Sequence, residues 1–256
     1  TYIPELERHN AGYLVKINNQ NLVFDFGRGV LDGLLREGVH YYDIDYIFIT
    51  HMHADHCSEL SSLLHIALVE LPVYKFRKKD LVIYGPKGFK DSFKHILDAF
   101  DLAKHKPEYK IEVKELKDGS IVKGKDWIMK SFVVKHSENR MCLAYRLESN
   151  NKVLAYSGDS GDCPGLKKTI ENADLAILEA TVSKALEKEL EEKLGDTKIH
   201  LTEERAAKLA TETKVKTLVL THIPSFCLKK FNIKENAKKF FKGKLVIAKD
   251  MMKFKI

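Results

Sequence analysis

Ile47-Phe48-Ile49-Thr50-His51-Met52-His53-Ala54-Asp55-His56 decides how this chain is read. A short apolar, β-branched run makes a buried strand, and it leads directly into four side chains able to ligate a metal. The small Ala54 lets the backbone turn tightly among them. With 11 histidines in 256 residues, the pattern His-x-His-x-Asp-His arises by chance on the order of once in a thousand such chains. Imidazole and carboxylate together suit zinc or another borderline divalent ion, and two such ions about 3.5–4 Å apart require a bridging anion. Further ligands are therefore expected at other strand ends, where a rigid scaffold aims them. His136 follows Phe132-Val133-Val134, Asp159 follows Leu154-Ala155-Tyr156-Ser157-Gly158, and His222 follows Leu218-Val219-Leu220-Thr221. These complete seven candidate ligands.

Outward from this motif, β-rich runs recur at 13–17, 22–26, 46–50, 81–84, 127–134, 142–147, 152–156, 175–178, 217–221 and 244–248. Helical periodicity separates several of them, at 30–37, 58–70, 87–104, 202–213 and 233–241, so the class is α/β. The run 184–198 is charged with few apolar anchors and reads as a loop or frayed helix. A chain of this length buries about 73% of its unfolded surface, enough for one substantial core. No Pro/Gly/Ser-rich stretch divides it, and one domain over 1–256 is expected. With 44% hydrophobic and 31% charged residues and no long apolar run, transmembrane, collagenous and disordered classes are excluded. The net charge of +7 permits nucleic acid as a partner without requiring it. Cys57, Cys142, Cys163 and Cys227 form no C-x-x-C pair, which fits reduced thiols in a cytoplasm. No positively charged n-region with an apolar h-region opens the chain, and since it begins at Thr1 a native start upstream is expected.

The motifs together resemble the metallo-β-lactamase superfamily of dinuclear metallohydrolases, and within it the ribonuclease Z-like group. The resemblance runs from Leu22-Val23-Phe24-Asp25-Phe26-Gly27 through the histidine motif and Ile83-Tyr84-Gly85-Pro86-Lys87-Gly88. It continues to Ser157-Gly158-Asp159-Ser160, Leu178-Glu179-Ala180-Thr181, His200-Leu201-Thr202 and Thr221-His222. It implies an αββα four-layer sandwich of two mixed β-sheets flanked by helices. It also assigns His51, His53 and His136 to one metal, Asp55, His56 and His222 to a second, and Asp159 to both. Zinc is the expected metal, with manganese or iron as alternatives. Aspartate at 159 is unlike the cysteine of the dizinc β-lactamases, and His53 stands where the di-iron flavoproteins have glutamate; both differences favour hydrolysis. Glu179 and His200 resemble the accessory pair of the ribonuclease Z-like enzymes, in which the glutamate orients a histidine that donates a proton. Asp25 resembles an aspartate that steadies the metal loop from behind.

Thr202 is placed to cap the following helix and so to set His200 beside a helix N-terminus, where phosphate is well accommodated. Arg28 is read equally as a substrate contact or a structural ion pair, and Cys57 as a buried structural thiol. Lys75-Phe76-Arg77-Lys78-Lys79 and the lysines of 229–242 are candidate tracks for a phosphodiester backbone, although lysine faces are usually just solvated. The resulting expectation is a dinuclear phosphodiesterase acting on a small phosphodiester, a cyclic nucleotide or short RNA. Asp55 would accept or position the proton of the nucleophile while also ligating, and His200 would protonate the departing alkoxide. A homodimer is admitted and a membrane is not. True ribonuclease Z enzymes carry a long insert that grips tRNA, matching the interval from Lys94 to His136. Only about forty residues fill that interval here, so tRNA 3′-processing is the alternative. Lactone or thioester hydrolysis and a non-catalytic regulatory role stand behind it.

Overall fold

The computed structural model describes residues 1–3, 5–69, 77–195 and 198–256. The chain divides into two compact units, one of residues 9–116 and one of residues 1–8 with 117–256.

In the first unit, β1 (Tyr13–Ile17) and β2 (Gln20–Phe24) form a hairpin. Its two-residue turn is opened by Asn18 in the left-handed region, φ 50°. Strands β3 (Tyr46–Phe48), β4 (Leu81–Pro86) and β5 (Ile111–Leu116) then add in parallel, in the order β1-β2-β3-β4-β5. Parallel strands covered on both faces need continuous apolar runs, and Ile47, Phe48 and Ile83 are fully buried. The helices are α1 (Val30–Arg36), α2 (Ala54–Cys57), α3 (Leu60–Leu68) and α4 (Phe89–Ala99). Leu60, Leu63, Leu64 and Ala67 of α3 recur at helical spacing and are buried, the three leucines in the core with Val23, Phe26, Ile47 and Ile49.

The basic stretch at 75–79 lies partly outside the described residues, and Arg77 corrects the reading of it as a surface track. Its side chain is buried, 2% exposed. It donates to the carbonyls of Lys79 (2.6 Å), Tyr41 (3.0 Å), Ile44 (2.6 Å) and Asp80 (2.7 Å). Burial pulls the guanidinium pKa down, against the opposing pull of Tyr109, Asp45, Asp80 and Asp43. Arg77 is a structural clamp on the segment that precedes β3. Arg77→Leu is expected to destabilise the protein by about 2–3 kcal/mol in urea unfolding, since it strands buried carbonyls; an unchanged midpoint would refute the clamp.

The second unit holds β6 (Ile121–Gly124), β7 (Trp127–Val134), β8 (Cys142–Ser149), β9 (Lys152–Tyr156), β10 (Leu175–Glu179), β11 (Thr217–Thr221) and β12 (Lys244–Ile247). Their order is β12-β11-β10-β9-β8-β7-β6; the first four run parallel and the rest antiparallel. The helices are α5 (Pro164–Ile170), α6 (Glu187–Leu194), α7 (Glu203–Glu212), α8 (Ser225–Lys230) and α9 (Ile233–Phe240). Ala206, Ala207 and Ala210 of α7 and Ile233 and Ala237 of α9 pack against Leu178, Leu218 and Leu220. The charged run at 184–198 holds α6, and Asp196 and Thr197 lie outside the described residues. Each unit is thus a mixed sheet with its helices. Between α4 and β7 lie only short connections and the strands β5 and β6, so no long arm fills this interval.

Candidate metal centre

In the first unit the ligand motif occupies the turn from β3 into α2. His53 is the residue before α2, Asp55 lies in its first turn and His56 in its last. The turn is held from behind by Asp25, which follows β2 with φ 56° and is fully buried. One carboxylate oxygen of Asp25 accepts from the Thr50 amide at 2.7 Å, and the other meets His56 Nδ1 at 2.7 Å. The Thr50 hydroxyl donates to the same carboxylate at 2.9 Å and lies 3.0 Å from His51 Nδ1. Gly27 is required here because a Cβ would lie 2.1 Å from the Asp55 carbonyl oxygen. With both Nδ1 atoms engaged, His51 and His56 turn their Nε2 atoms forward. His51 Nε2 lies 3.0 Å from His53 Nδ1, and His56 Nε2 lies 3.5 Å from an Asp55 oxygen. Two pairs of donor atoms therefore converge in this unit.

The second unit presents two more. Asp159 follows Gly158, which has φ 57°, three residues after β9. One Asp159 oxygen is 3.9 Å from His136 Nε2 and the other 3.5 Å from His222 Nε2. All three side chains are at least 95% buried. His222 directly follows β11 with φ 61°, a conformation uncommon for a residue with a Cβ. Its Nδ1 lies 3.0 Å from the Thr181 hydroxyl, which again leaves Nε2 to face the aspartate.

Glu179, the last residue of β10, is fully buried. It accepts from the amides of Ser160 (2.8 Å) and Thr181 (3.0 Å) and meets His200 Nδ1 at 2.8 Å. His200 stacks edge-on against His136, with ring centroids 4.8 Å apart, and ligand-type atoms of His136, Asp159 and His200 lie within 4.8 Å of one another. Thr202 caps α7, its hydroxyl accepting from the Arg205 amide at 3.2 Å.

The donor chemistry fits divalent ions. Metal-binding imidazoles normally engage their second nitrogen with a carboxylate, carbonyl or hydroxyl, which fixes the ring, and His51, His56 and His222 all do so. Arg28 is exposed beside the metal loop. Burial, reinforced by Asp25 and Asp55, pushes the Cys57 thiol up to about 12, and it donates to the His53 carbonyl, so it acts as packing. Sequence reasoning missed Thr50 and Thr181, whose hydroxyls hold the rings. Their signal is position: each lies beside a motif residue at the end of a strand.

Asp25→Ala should reach past His56 to the metal. Loss of such a supporting carboxylate typically lowers metal affinity 10- to 100-fold, to be read by zinc competition titration; unchanged affinity would show that Thr50 alone holds the loop.

Residues 20–223 match the profile of the β-lactamase superfamily domain. Ribonuclease Z of Methanosarcina acetivorans is 25% identical over 305 aligned positions, covering 99% of this chain and 94% of that protein. Two solved structures share the fold. The metallo-β-lactamase fold protein YhfI of Bacillus subtilis has a TM-score of 0.78 at 23% identity, covering 96% of this chain and 92% of that one. Human tRNase Z, short form, has a TM-score of 0.73 at 23% identity, covering 97% and 93%. A profile match over most of the chain, ligand-type residues at the strand ends and the shared fold lead to one conclusion: the chain is a hydrolase of the metallo-β-lactamase superfamily, with ribonuclease Z enzymes among its relatives.

Proposed function

We propose that this hydrolase is a dinuclear metal-dependent phosphodiesterase whose substrate is RNA or a small phosphodiester. His51, His53 and His136 would hold one ion, Asp55, His56 and His222 the other, and Asp159 both. When bound, divalent metals supply water of lowered pKa and stabilise charge developing on phosphoryl oxygens. Asp55 accepts the proton of the attacking water. The observation that carries the reading is His200, held by buried Glu179 at 2.8 Å beside Asp159. Glu179 accepts from His200 Nδ1 and favours the doubly protonated ring, whose Nε2–H is the proton passed to a departing alkoxide. Phosphodiesters with ribose leaving groups need that proton. Elemental analysis of protein purified without chelator should find close to two divalent metals per chain, zinc first, with hydrolysis of bis(p-nitrophenyl) phosphate and of a linear RNA. Metal-free protein that binds neither added zinc nor manganese would overturn the proposal.

A second reading, tRNA 3′-end processing, is supported by the names of the relatives. Against it stands the compact interval from α4 to β7. An alignment of 305 positions also exceeds this 256-residue chain, so the Methanosarcina relative carries segments absent here. Precursor tRNA is expected to be cut little faster than an unstructured RNA of equal length, because phosphate contacts give affinity without specificity. Accurate cleavage at the mature 3′ end, well above the linear control, would instead establish the tRNA reading.

A further inference from the structure

Resting on the phosphodiesterase reading, we propose that Tyr2, Phe226 and the lysines of α8 and α9 form a track that binds single-stranded RNA leading to the His222 side of the centre. All of these residues belong to the second unit.

The track starts at His222. The Tyr2 ring lies over the His222 ring, with centroids 6.4 Å apart and planes 20° from parallel, and is 54% exposed. Glu5 fixes this segment: one carboxylate oxygen accepts from the Ser225 amide at 3.0 Å and the other from its hydroxyl. Burial raises the Glu5 pKa, but these bonds and Arg8 outweigh it and hold the carboxyl below its ordinary value. Arg8 adds a bond to the Ala248 carbonyl at 3.0 Å. Ser225 opens α8, three residues beyond His222, and the next residue, Phe226, is 49% exposed. Two large aromatic rings are therefore offered to solvent by segments tied to each other at the edge of the metal centre. Burial favours the opposite for Phe, whereas an exposed ring is a face on which a base stacks, whatever its identity.

Charge continues the track. The stretch 225–242 contains six lysines, 229, 230, 234, 238, 239 and 242, against the single acid Glu235. All six are exposed. Lys234 and Lys238 lie four residues apart on α9, about 6 Å of rise, and Lys242 follows just beyond its end. Elsewhere in this unit several lysines on helices and strands are paired: Lys167 with Glu212, Lys184 with Glu187, Lys193 with Glu189, Lys208 with Glu204, and Lys216 with Asp174. Among the described residues the six form no carboxylate ion pair within 4.0 Å. Lys239 and Lys242 meet only the neutral oxygens of Asn236 and Lys238. A solvated face in a lysine-rich chain would carry acids between its lysines, as α6 and α7 do. Glu189 of α6 acts on Lys230 electrostatically; the rest of the face is left cationic, which suits a phosphodiester backbone. Stacking rings beside such a face favour a single strand over a duplex, whose bases are already stacked.

The test is fluorescence anisotropy of the full-length, metal-loaded protein with a labelled 12-nucleotide single-stranded RNA and, separately, the same sequence as a duplex. Wild-type protein should prefer the single strand. The combined variant Lys229→Gln, Lys230→Gln, Lys234→Gln and Lys238→Gln should weaken binding and flatten the slope of log K against log salt by roughly 0.7 for each phosphate that is no longer neutralised. Tyr2→Ala and Phe226→Ala should each weaken binding roughly 5- to 150-fold with the salt slope unchanged. Thermal melting verifies that the variants fold. A wild-type protein that ignores single-stranded RNA, binds the duplex as well, or keeps its affinity and slope in the lysine variant overturns the track. Hydrolysis of bis(p-nitrophenyl) phosphate by wild-type protein reports the phosphodiesterase reading by itself: hydrolysis without RNA binding sinks only the track, and RNA binding without hydrolysis sinks only the reading.

Discussion

Asp159→Asn is expected to strip the protein of metal and lower hydrolysis on the order of 10³-fold or more, because the anion that would neutralise both proposed ions is replaced by a neutral amide. Each Asp159 oxygen faces a different imidazole, at 3.9 Å and 3.5 Å, so a single substitution touches both candidate ions. Asparagine keeps the shape, and packing around Gly158 and Ser160 should survive. A sign follows for stability. In chelator the wild type keeps a buried carboxylate without its cations, which is costly, whereas the amide is cheaper to bury. In chelator the variant should therefore melt at the same temperature as the wild type or higher, and in zinc it should melt lower. Wild-type metal content in Asp159→Asn would remove Asp159 from the ligand set.

His200→Ala should be nearly as damaging, but only for some substrates. Alkoxide is a poor leaving group and needs a proton, while p-nitrophenolate departs without one. A positioned acid is worth typically 10²- to 10⁴-fold on the first kind of substrate. The variant should thus lose kcat on a diester with a ribose leaving group and change little on bis(p-nitrophenyl) phosphate, with two metals retained. Loss of a metal would make His200 a ligand, a role open to it because it converges with His136 and Asp159, and equal losses on both substrates with metal retained would make it a binding residue. Glu179→Gln is the less clean companion. Glu179 also accepts from the Ser160 and Thr181 amides, and an amide NH₂ would face one of these donors. That variant should disturb the Asp159 loop as well as the acid.

The candidate ligands can be found from sequence because they follow the ends of apolar runs, and such runs are a strong local signal for a buried strand. Strand boundaries are less legible where the site bends the chain. The run at 22–26 stops at Phe24 because Asp25 turns into the left-handed region to reach Thr50 and His56. The helix expected over 87–104 ends at Ala99, with Asp101 at φ 54° closing it. Ile111–Leu116 alternates apolar and charged residues at a sheet edge, so β5 has only a faint signal. The hydroxyls of Thr50 and Thr181 are invisible for another reason. Thr50 reaches Asp25 as well as its neighbour His51, and Thr181 reaches His222, 25 and 41 residues away in the chain, and periodicity carries no information at that separation. Arg77 reads as a surface residue because burial of a basic side chain depends on carbonyls from Tyr41 and Ile44, more than thirty residues earlier.

Strands β9, β10 and β11 form a ruler for the second unit's ligands. Tyr156 is level with Ile177, and Glu179 with Thr221, so Asp159, Glu179 and His222 leave the sheet within a few residues of one height. One residue inserted into β11 would slide His222 by about 3.3 Å and reverse the face of every side chain beyond it. Substitutions in these strands can be absorbed by repacking; insertions and deletions cannot. Changes of chain length in descendants of this protein must fall instead in segments off the ruler, such as the excursion from Thr181 to Ile199 or the stretch from α4 to β7. New substrate preferences in this lineage would then come from segments grafted beside an unaltered site.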